Sequence, residues 1–377
     1  MSSYDILVIG GGIAGASIAY ELAPDRSVCV LEMESTLAVH TTGRSAATFV
    51  ESLGDSQIRG LTTSSRPFYE NPPASFDQRL LSPMSLLMTA AVGRADVVRR
   101  MYAEISALAP DVRIVDDGEA RALNPLLRPG YTELALFEPH AMQIDVHAVH
   151  QGYIRGLRQR GSAVRTGAKV VSAARRGPVW RISDAAGVTY EAPVVVNAAG
   201  AWVDEVAELA AVRAIGIRPL RRTVFILGPP DRTVVASLPM TADVDGTFYV
   251  KPEGQQLLCS PSDETPMPPG DVRPDELDIA RGLDTINEAT VANGRHVRHS
   301  WAGLRSFAPD RHPVVGFDAR ADGFFWFAGQ GGFGLQTAPA LARLGAAMVR
   351  GEGPGDDLTS NGVAVGQVTA GRFAVAS

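Results

Sequence analysis

Near the start of the chain, Gly10-Gly11-Gly12-Ile13-Ala14-Gly15 has the spacing G-x-G-x-x-G. The chemistry it suits is the holding of a pyrophosphate. Gly10 permits a tight turn, Gly12 presents backbone without a Cβ, and Gly15 lets a helix pack closely on a strand. The helix start, with Ile13 and Ala14, then faces the phosphates with free N–H groups and a partial positive charge. Glu32 stands 22 residues beyond Gly10, where an acid can accept hydrogen bonds from an adenosine ribose. Two later stretches suit contacts farther along a dinucleotide. After His40 come Thr41, Thr42, Gly43, Arg44, Ser45, Ala46 and Ala47, mostly small or hydroxyl residues. In Gly329–Gly334, the run Gly331, Gly332, Phe333, Gly334 offers backbone donors ahead of a helix, suited to negative charge on a flavin.

Other chemistries find less support. Two cysteines, Cys29 and Cys259, exclude a disulfide framework and any multi-cysteine metal site. His147 and His150 are three apart on an expected helix, but no acid–histidine cluster accompanies them. They are expected to be solvated or capping residues, His40 a solvated loop residue, and no metal site is expected. A net charge of −6 argues against nucleic acid as a partner. Of 35 basic residues only Lys169 and Lys251 are lysines.

These residues need elements to hold them. DILVIG (5–10), IAGASIAYELA (13–23) and SVCVLE (27–32) read as strand, helix and strand, a βαβ unit, which predicts a parallel sheet. PVVVNAAG (193–200) and FFWF (324–327) read as further buried strands running into glycine turns. Between them, Pro-rich turns (Pro229-Pro230, Pro266 to Pro269) and alternating runs such as Thr247–Val250 predict a second, antiparallel domain. With 377 residues, 45% hydrophobic and 20% charged, two domains are expected. The chain opens without a basic, apolar secretory signal, and a cytoplasmic location is expected. The uncharged run Gly323–Ala342 holds five glycines, two glutamines and a proline, so it reads as strand, loop and helix and no transmembrane segment is expected.

The ordered segments VIGGGIAGAS, HTTGRSAA, NPPASF, HQGYIRG, VVNAAGAW, TFYVKP, WAGLRSF and GQGGFGLQT, spanning residues 8–337, resemble the FAD-dependent amino-acid oxidase superfamily. That family includes D-amino acid oxidase, glycine oxidase and monomeric sarcosine oxidase; the match is closest to the bacterial D-arginine dehydrogenases. The resemblance implies an α/β fold: a Rossmann-like FAD-binding domain interleaved with an α+β substrate domain built on an antiparallel sheet. The expected division is 1–79, 141–212 and 301–351 for the FAD domain and 80–140 and 213–300 for the substrate domain. Residues 352–377, rich in Gly, Ser, Thr and small apolar residues, are expected to form a loose tail. FAD is expected to bind non-covalently, because no cysteine follows residue 301.

The same resemblance implies roles. Arg222, Arg305 and Tyr249 would hold a substrate carboxylate, a task suited to planar, permanently charged guanidinium groups. On a strand only one of Arg221 and Arg222 can face the site, and the sequence leaves open which. The Gly332 carbonyl would accept from the substrate amine. Val170, Ala199, Gly200, Gly303, Arg305 and Gln336 would add cofactor contacts. The acid that grips a cationic side chain in D-arginine dehydrogenase falls on Leu87, and its covering loop falls on Thr48 and Leu53, with Glu51 and Asp55 nearby. The expected reaction is oxidation of the Cα–N bond of an α-amino acid, a D-amino acid with an apolar side chain, to an imine that hydrolyses to a 2-oxo acid. The alternative is an N-substituted glycine, releasing glyoxylate and a primary amine. Other readings are an FAD-bound binding module and an NAD-linked dehydrogenase. The electron acceptor, quinone or oxygen, is not fixed. Sarcosine-type oxidases place a lysine near the flavin; Gln255–Ser260 has none, Lys251 is the one candidate, and a dehydrogenase is favoured.

Overall fold

The structure is a computed structural model describing residues 2–228 and 235–373. At its centre is a six-stranded sheet in the order Ala163–Arg165, Val28–Leu31, Ile6–Ile9, Val194–Asn197, Phe324–Ala328, Val314–Phe317, parallel except for the last strand. Its four middle strands are buried on both faces, which is why they read as unbroken apolar runs. Leu7, Ile9, Cys29, Leu31, Phe324 and Trp326 pack toward a four-stranded sheet that contains Trp180, Ile182 and Tyr190. Ile6, Val8, Val28, Val30, Phe325 and Phe327 pack on the other side toward the helices Ile13–Leu22 and Gly334–Arg350.

A larger sheet runs Gln330–Gly331, Val297–Phe307, Arg218–Leu227, Gln256–Ser260, Tyr249–Glu253, Met240–Asp243, Leu86–Ala91, Thr132–Glu138, Arg113–Asp116. It is antiparallel apart from the pairing of Met240–Asp243 with Leu86–Ala91. The expected division at residue 301 falls inside the strand Val297–Phe307, which is hydrogen-bonded to Arg218–Leu227 along its length. This strand belongs to the larger sheet, because a β-ladder cannot be split without losing its bonds. The expected turn at Pro229-Pro230 lies outside the described residues.

The expected loose tail is corrected as far as residue 373. Short helices at Asp356–Ser360 and Val365–Val368 bury Leu358 and Val368, and the connection between them buries Val363. Polar ties add to this: the Ala364 N–H donates to Gln57 Oε1 (2.7 Å), and Arg372 pairs with Asp310. Three apolar anchors among small residues suffice to dock the segment. Among the described residues no helix is long and apolar enough to cross a membrane. Deleting residues 356–377 is expected to lower the free energy of unfolding by several kcal/mol, since each fully buried side chain of this size contributes roughly 1.5–3 kcal/mol. Urea unfolding measures this, and an unchanged midpoint would contradict the docking.

Candidate active site

One long cavity lies along the seam between the two large sheets. At one end the glycine turn and the first turn of the helix Ile13–Leu22 form its wall, with Gly10, Gly12, Ile13 and Ala14 exposed to it. Gly10 has φ +108°, and a Cβ there would stand 2.4 Å from the Ala198 carbonyl oxygen. A Cβ on Gly15 would lie 1.9 Å from the Gly10 carbonyl oxygen, so Gly15 acts from behind, not from the cavity wall. The N-cap residue of the helix, Gly12, has no side chain, and among the described residues the N–H groups of Ala14 and Gly15 in its first turn have no acceptor. That leaves its end dipole for a ligand. Glu32 lies on the wall and also braces the turn: Oε2 accepts from the Gly11 N–H (2.7 Å) and Oε1 from the Glu34 N–H (2.9 Å). Thr42 Oγ1 accepts from the Ile13 N–H (3.0 Å), tying the second loop to the helix start.

Thr41, Thr42, Arg44, Ser45, Ala46, Val170, Ala199, Gly200, Gly303, Gly331, Gly332 and Gly334 also reach the cavity. Gly43, Ala47, Phe333 and Gln336 do not; they shape the loops behind it. The Gly43 N–H donates to the Ala38 carbonyl, Ala47 takes φ +53°, and Phe333 caps the helix Gly334–Arg350. Gln336 is buried, with Nε2 donating to Thr62 Oγ1 (2.9 Å). His40 is corrected from a solvated residue to a half-buried part of the wall, with Nε2 2.9 Å from Glu34 Oε1 and its ring 4.8 Å from that of Trp202.

At the other end strand register decides the chemistry. Arg222 pairs with Gly303 and Leu220 with Arg305, so Arg222 and Arg305 emerge on one sheet face, and Tyr249 lines the same cavity. Arg221 emerges on the opposite face, bound to Asp278 (2.7 Å) and Asp263 (3.3 Å). Arg222 is therefore the inward residue. Its Nε donates to the Asp263 carbonyl (2.9 Å) and its Nη2 to Glu264 (3.2 Å). Among the described residues the Arg305 guanidinium has no hydrogen-bond or ion-pair partner, and Tyr249 Oη is buried without one. Burial, and then the Arg305 charge, push the Arg222 guanidinium down to about 10; Tyr249, Glu264 and Asp263 oppose the shift. Two cations and a hydroxyl with no partner among the described residues thus face one end of the cavity, an arrangement suited to an anionic ligand.

Register also corrects Leu87. It is fully buried among Val115, Leu127 and Phe137, on the sheet face turned away from Tyr249. Met88 pairs with Ala242, which pairs with Tyr249, so Met88 occupies the face that Leu87 was expected to occupy. Thr48 pairs with Gln143 in a small sheet and Leu53 packs near Val50 and Met84; neither lies on the cavity wall. Val224, two residues from Arg222, does lie there, and strand alternation would have found it. Lys251 is buried and donates to Glu253 Oε2 (2.7 Å) away from the wall.

Residues 5–348 match the model of the family described as FAD dependent oxidoreductase (DAO). The chain belongs to that family. The DAO chain is 25% identical to hydrogen cyanide synthase subunit HcnC of Pseudomonas aeruginosa over 89% of its own length and 90% of that protein's. In fold it is similar to glycine oxidase from Geobacillus kaustophilus (TM-score 0.81, 21% identity, 97% of this chain and 99% of that one). It is likewise similar to iminodiacetate oxidase from Chelativorans sp. BNC1 (TM-score 0.75, 20% identity, 93% and 96%). The protein is an FAD-dependent oxidoreductase. The cavity fits the cofactor: crowded glycines bring backbone to its wall, and the helix start, where the Gly12 and Ala14 N–H groups have no acceptor among the described residues, suits a pyrophosphate.

Arg222→Ala is expected to weaken binding of a small carboxylate, followed by flavin absorbance, by roughly 2–5 kcal/mol, the cost of removing one partner of a buried charge pair. Arg221→Ala should leave that affinity alone and lower the melting temperature instead. Equal effects on affinity would contradict the assignment of inward and outward residues. In the parent protein the affinity should hold through neutral pH and fall as pH rises past about 10, where Arg222 loses its charge.

Proposed function

We propose that the protein oxidises the Cα–N bond of a D-amino acid with an apolar side chain, giving an imine and then a 2-oxo acid. The observation that carries this reading is the pair Arg222 and Arg305, set beside the unpartnered Tyr249 hydroxyl in the FAD cavity. Bound FAD supplies a two-electron oxidant. Arg222 and Arg305 bind the substrate carboxylate, Tyr249 donates to it, and the Gly332 carbonyl accepts from the amine. With carboxylate and amine both held, Cα has few orientations left, and positioning does much of the catalytic work. A neutral amine needs no strong base, because its nitrogen lone pair forms the imine as the Cα hydrogen leaves. Water then adds to the imine and releases ammonia. The match of these four residues to the D-arginine dehydrogenase pattern supports the D configuration.

The apolar side chain is argued from the surroundings of Tyr249. Its cluster contains Val50, Met88, Val224 and Leu258, with Ala46, Ala242 and Trp301 against it, and of these Val224 and Ala46 reach the cavity wall. The two acids of the nearby loop are already engaged: Glu51 pairs with Arg66, while Asp55 caps the helix Ser56–Glu70 and pairs with His312 (3.2 Å). Glu138 lies on the same sheet face but not on the cavity wall, and its Oε1 accepts from the Glu51 N–H (3.0 Å). A cationic side chain would lose water there without gaining a partner. An apolar chain gains about 0.8 kcal/mol per buried CH₂.

The test is kcat/KM for D-leucine and D-methionine against D-arginine and a long N-alkylglycine, followed by flavin bleaching without oxygen. The two apolar D-amino acids are expected to exceed D-arginine by tenfold or more, since about 1.4 kcal/mol, less than two buried CH₂ groups, is a factor of ten. A preference for D-arginine would overturn the apolar reading. A preference for the N-alkylglycine, with a primary amine as product in place of ammonia, would transfer the reading to secondary amines.

A further inference from the structure

His150 takes no part in the chemistry described so far, and the sequence suggested a solvated or capping residue. It lies on the helix Val146–Gln159, is 2% exposed, and its Nε2 stands 2.8 Å from the carbonyl oxygen of Gly11. A carbonyl oxygen only accepts, so Nε2 carries the proton and donates. Gly11 is gripped on its other side as well, its N–H donating to Glu32 Oε2 at 2.7 Å. A Cβ at Gly11 would come within 2.5 Å of Leu37 Cδ2 and 2.9 Å of Glu32 Oε2, so the residue is closely enclosed.

The geometry points to His150 as a positioning residue for the dinucleotide. In a planar trans peptide the carbonyl and the following N–H point in opposite directions. There is no cis peptide among the described residues. By drawing the Gly11 carbonyl toward the helix Val146–Gln159, His150 turns the Gly12 N–H the other way. Gly12 lies on the cavity wall and Gly11 does not. Among the described residues the Gly12 N–H has no acceptor. His150 therefore fixes a peptide plane so that one backbone donor is presented to the FAD pyrophosphate before the cofactor arrives. Glu32 and His150 act on the two ends of one residue, and neither need touch the phosphate.

The test compares His150→Leu, which removes the donor, with His150→Gln, whose amide nitrogen reaches as far as Nε2. Apoprotein is titrated with FAD by fluorescence quenching, and the apoprotein melting temperature is recorded for each variant. His150→Leu is expected to bind FAD about tenfold or more weakly, in line with one lost donor of about 1.4 kcal/mol. His150→Gln should return to within about threefold of the parent, since the hydrogen bond and not the ring is what counts. If His150→Leu does not fold, His150→Asn, whose amide is too short to reach Gly11, carries the same expectation of weakening. Parent-like affinity in the variant lacking the donor, or a His150→Gln variant as weak as it, would overturn the assignment. A loss of affinity matched by an equal loss in apoprotein stability and unrescued by Gln would show a packing role only.

Discussion

Two guanidinium groups repel each other, and burying each costs several kcal/mol unless it is compensated. The DAO chain nonetheless brings Arg222 and Arg305 to one cavity. The register between Arg218–Leu227 and Val297–Phe307 enforces this, because Leu220 pairs with Arg305 and Arg222 with Gly303. A slip by one residue would turn one of the cations to the other face. Compensation comes from one short segment. Asp263 takes Arg221 with its carboxylate and Arg222 with its carbonyl, and Glu264 takes Arg222 and Arg311. Asp263 Oδ1 also accepts from the Thr223 N–H (2.5 Å), so the segment is fastened to the strand it serves. The protein supplies enough partners to hold Arg222 in place and, among the described residues, leaves Arg305 without one.

That arrangement depends on how the chain is threaded. The central sheet takes strands near residues 6–9, 28–31, 194–197 and 324–328, and the long excursions between them build the larger sheet. In a parallel sheet the carboxyl ends of the strands point the same way, and ligands bind beyond them. The turn after Ile9, Glu32 after Leu31, and Ala198–Gly200 after Asn197 meet there, and the loop after Ala328 brings Gly331 and Gly332 to the same seam. The Arg305 strand lies across the gap: Thr41 Oγ1 donates to the Leu304 carbonyl (2.7 Å) and Arg44 Nη1 to the Ala302 carbonyl (3.0 Å). Cofactor loop and clamp strand thus hold each other in register.

Legibility in the sequence followed the range of the constraint. The glycine spacing was readable because Gly10 and Gly15 answer to contacts set by a single turn and helix, whatever the rest of the chain does. Strand parity told that Arg221 and Arg222 diverge, but the acids that choose between them lie some 40 residues away at Asp263 and more than 50 away at Asp278. His150 was misread because its acceptor is a backbone carbonyl 139 residues distant, which leaves no side-chain signature. Leu87 was misplaced by one position because Leu86-Leu87-Met88 is apolar on both faces, so the alternation that marks an inner face is missing. The segment after residue 352 looked loose because composition averages over three anchors that do the packing.

The same parity bears on how substrate preference can differ among relatives of this fold. The proposed clamp of Arg222 and Arg305 rests on ladder register, a backbone carbonyl and two carboxylates, and altering any of them disturbs neighbours on both strands. The surroundings of Tyr249 instead depend on side chains of Val50, Met88, Ala242 and Trp301, drawn from a loop and three different strands. Volume-conserving apolar exchanges in such a cluster typically cost less than about 1.5 kcal/mol. A charge introduced there is a different matter, since burial disfavours the charged form unless it brings its own partner, and burial raises the Glu138 carboxyl for the same reason. Substrate size can therefore drift under weak constraint while substrate charge changes only with a matched pair, and the proposed carboxylate clamp, fixed by the ladder, is the part least free to move.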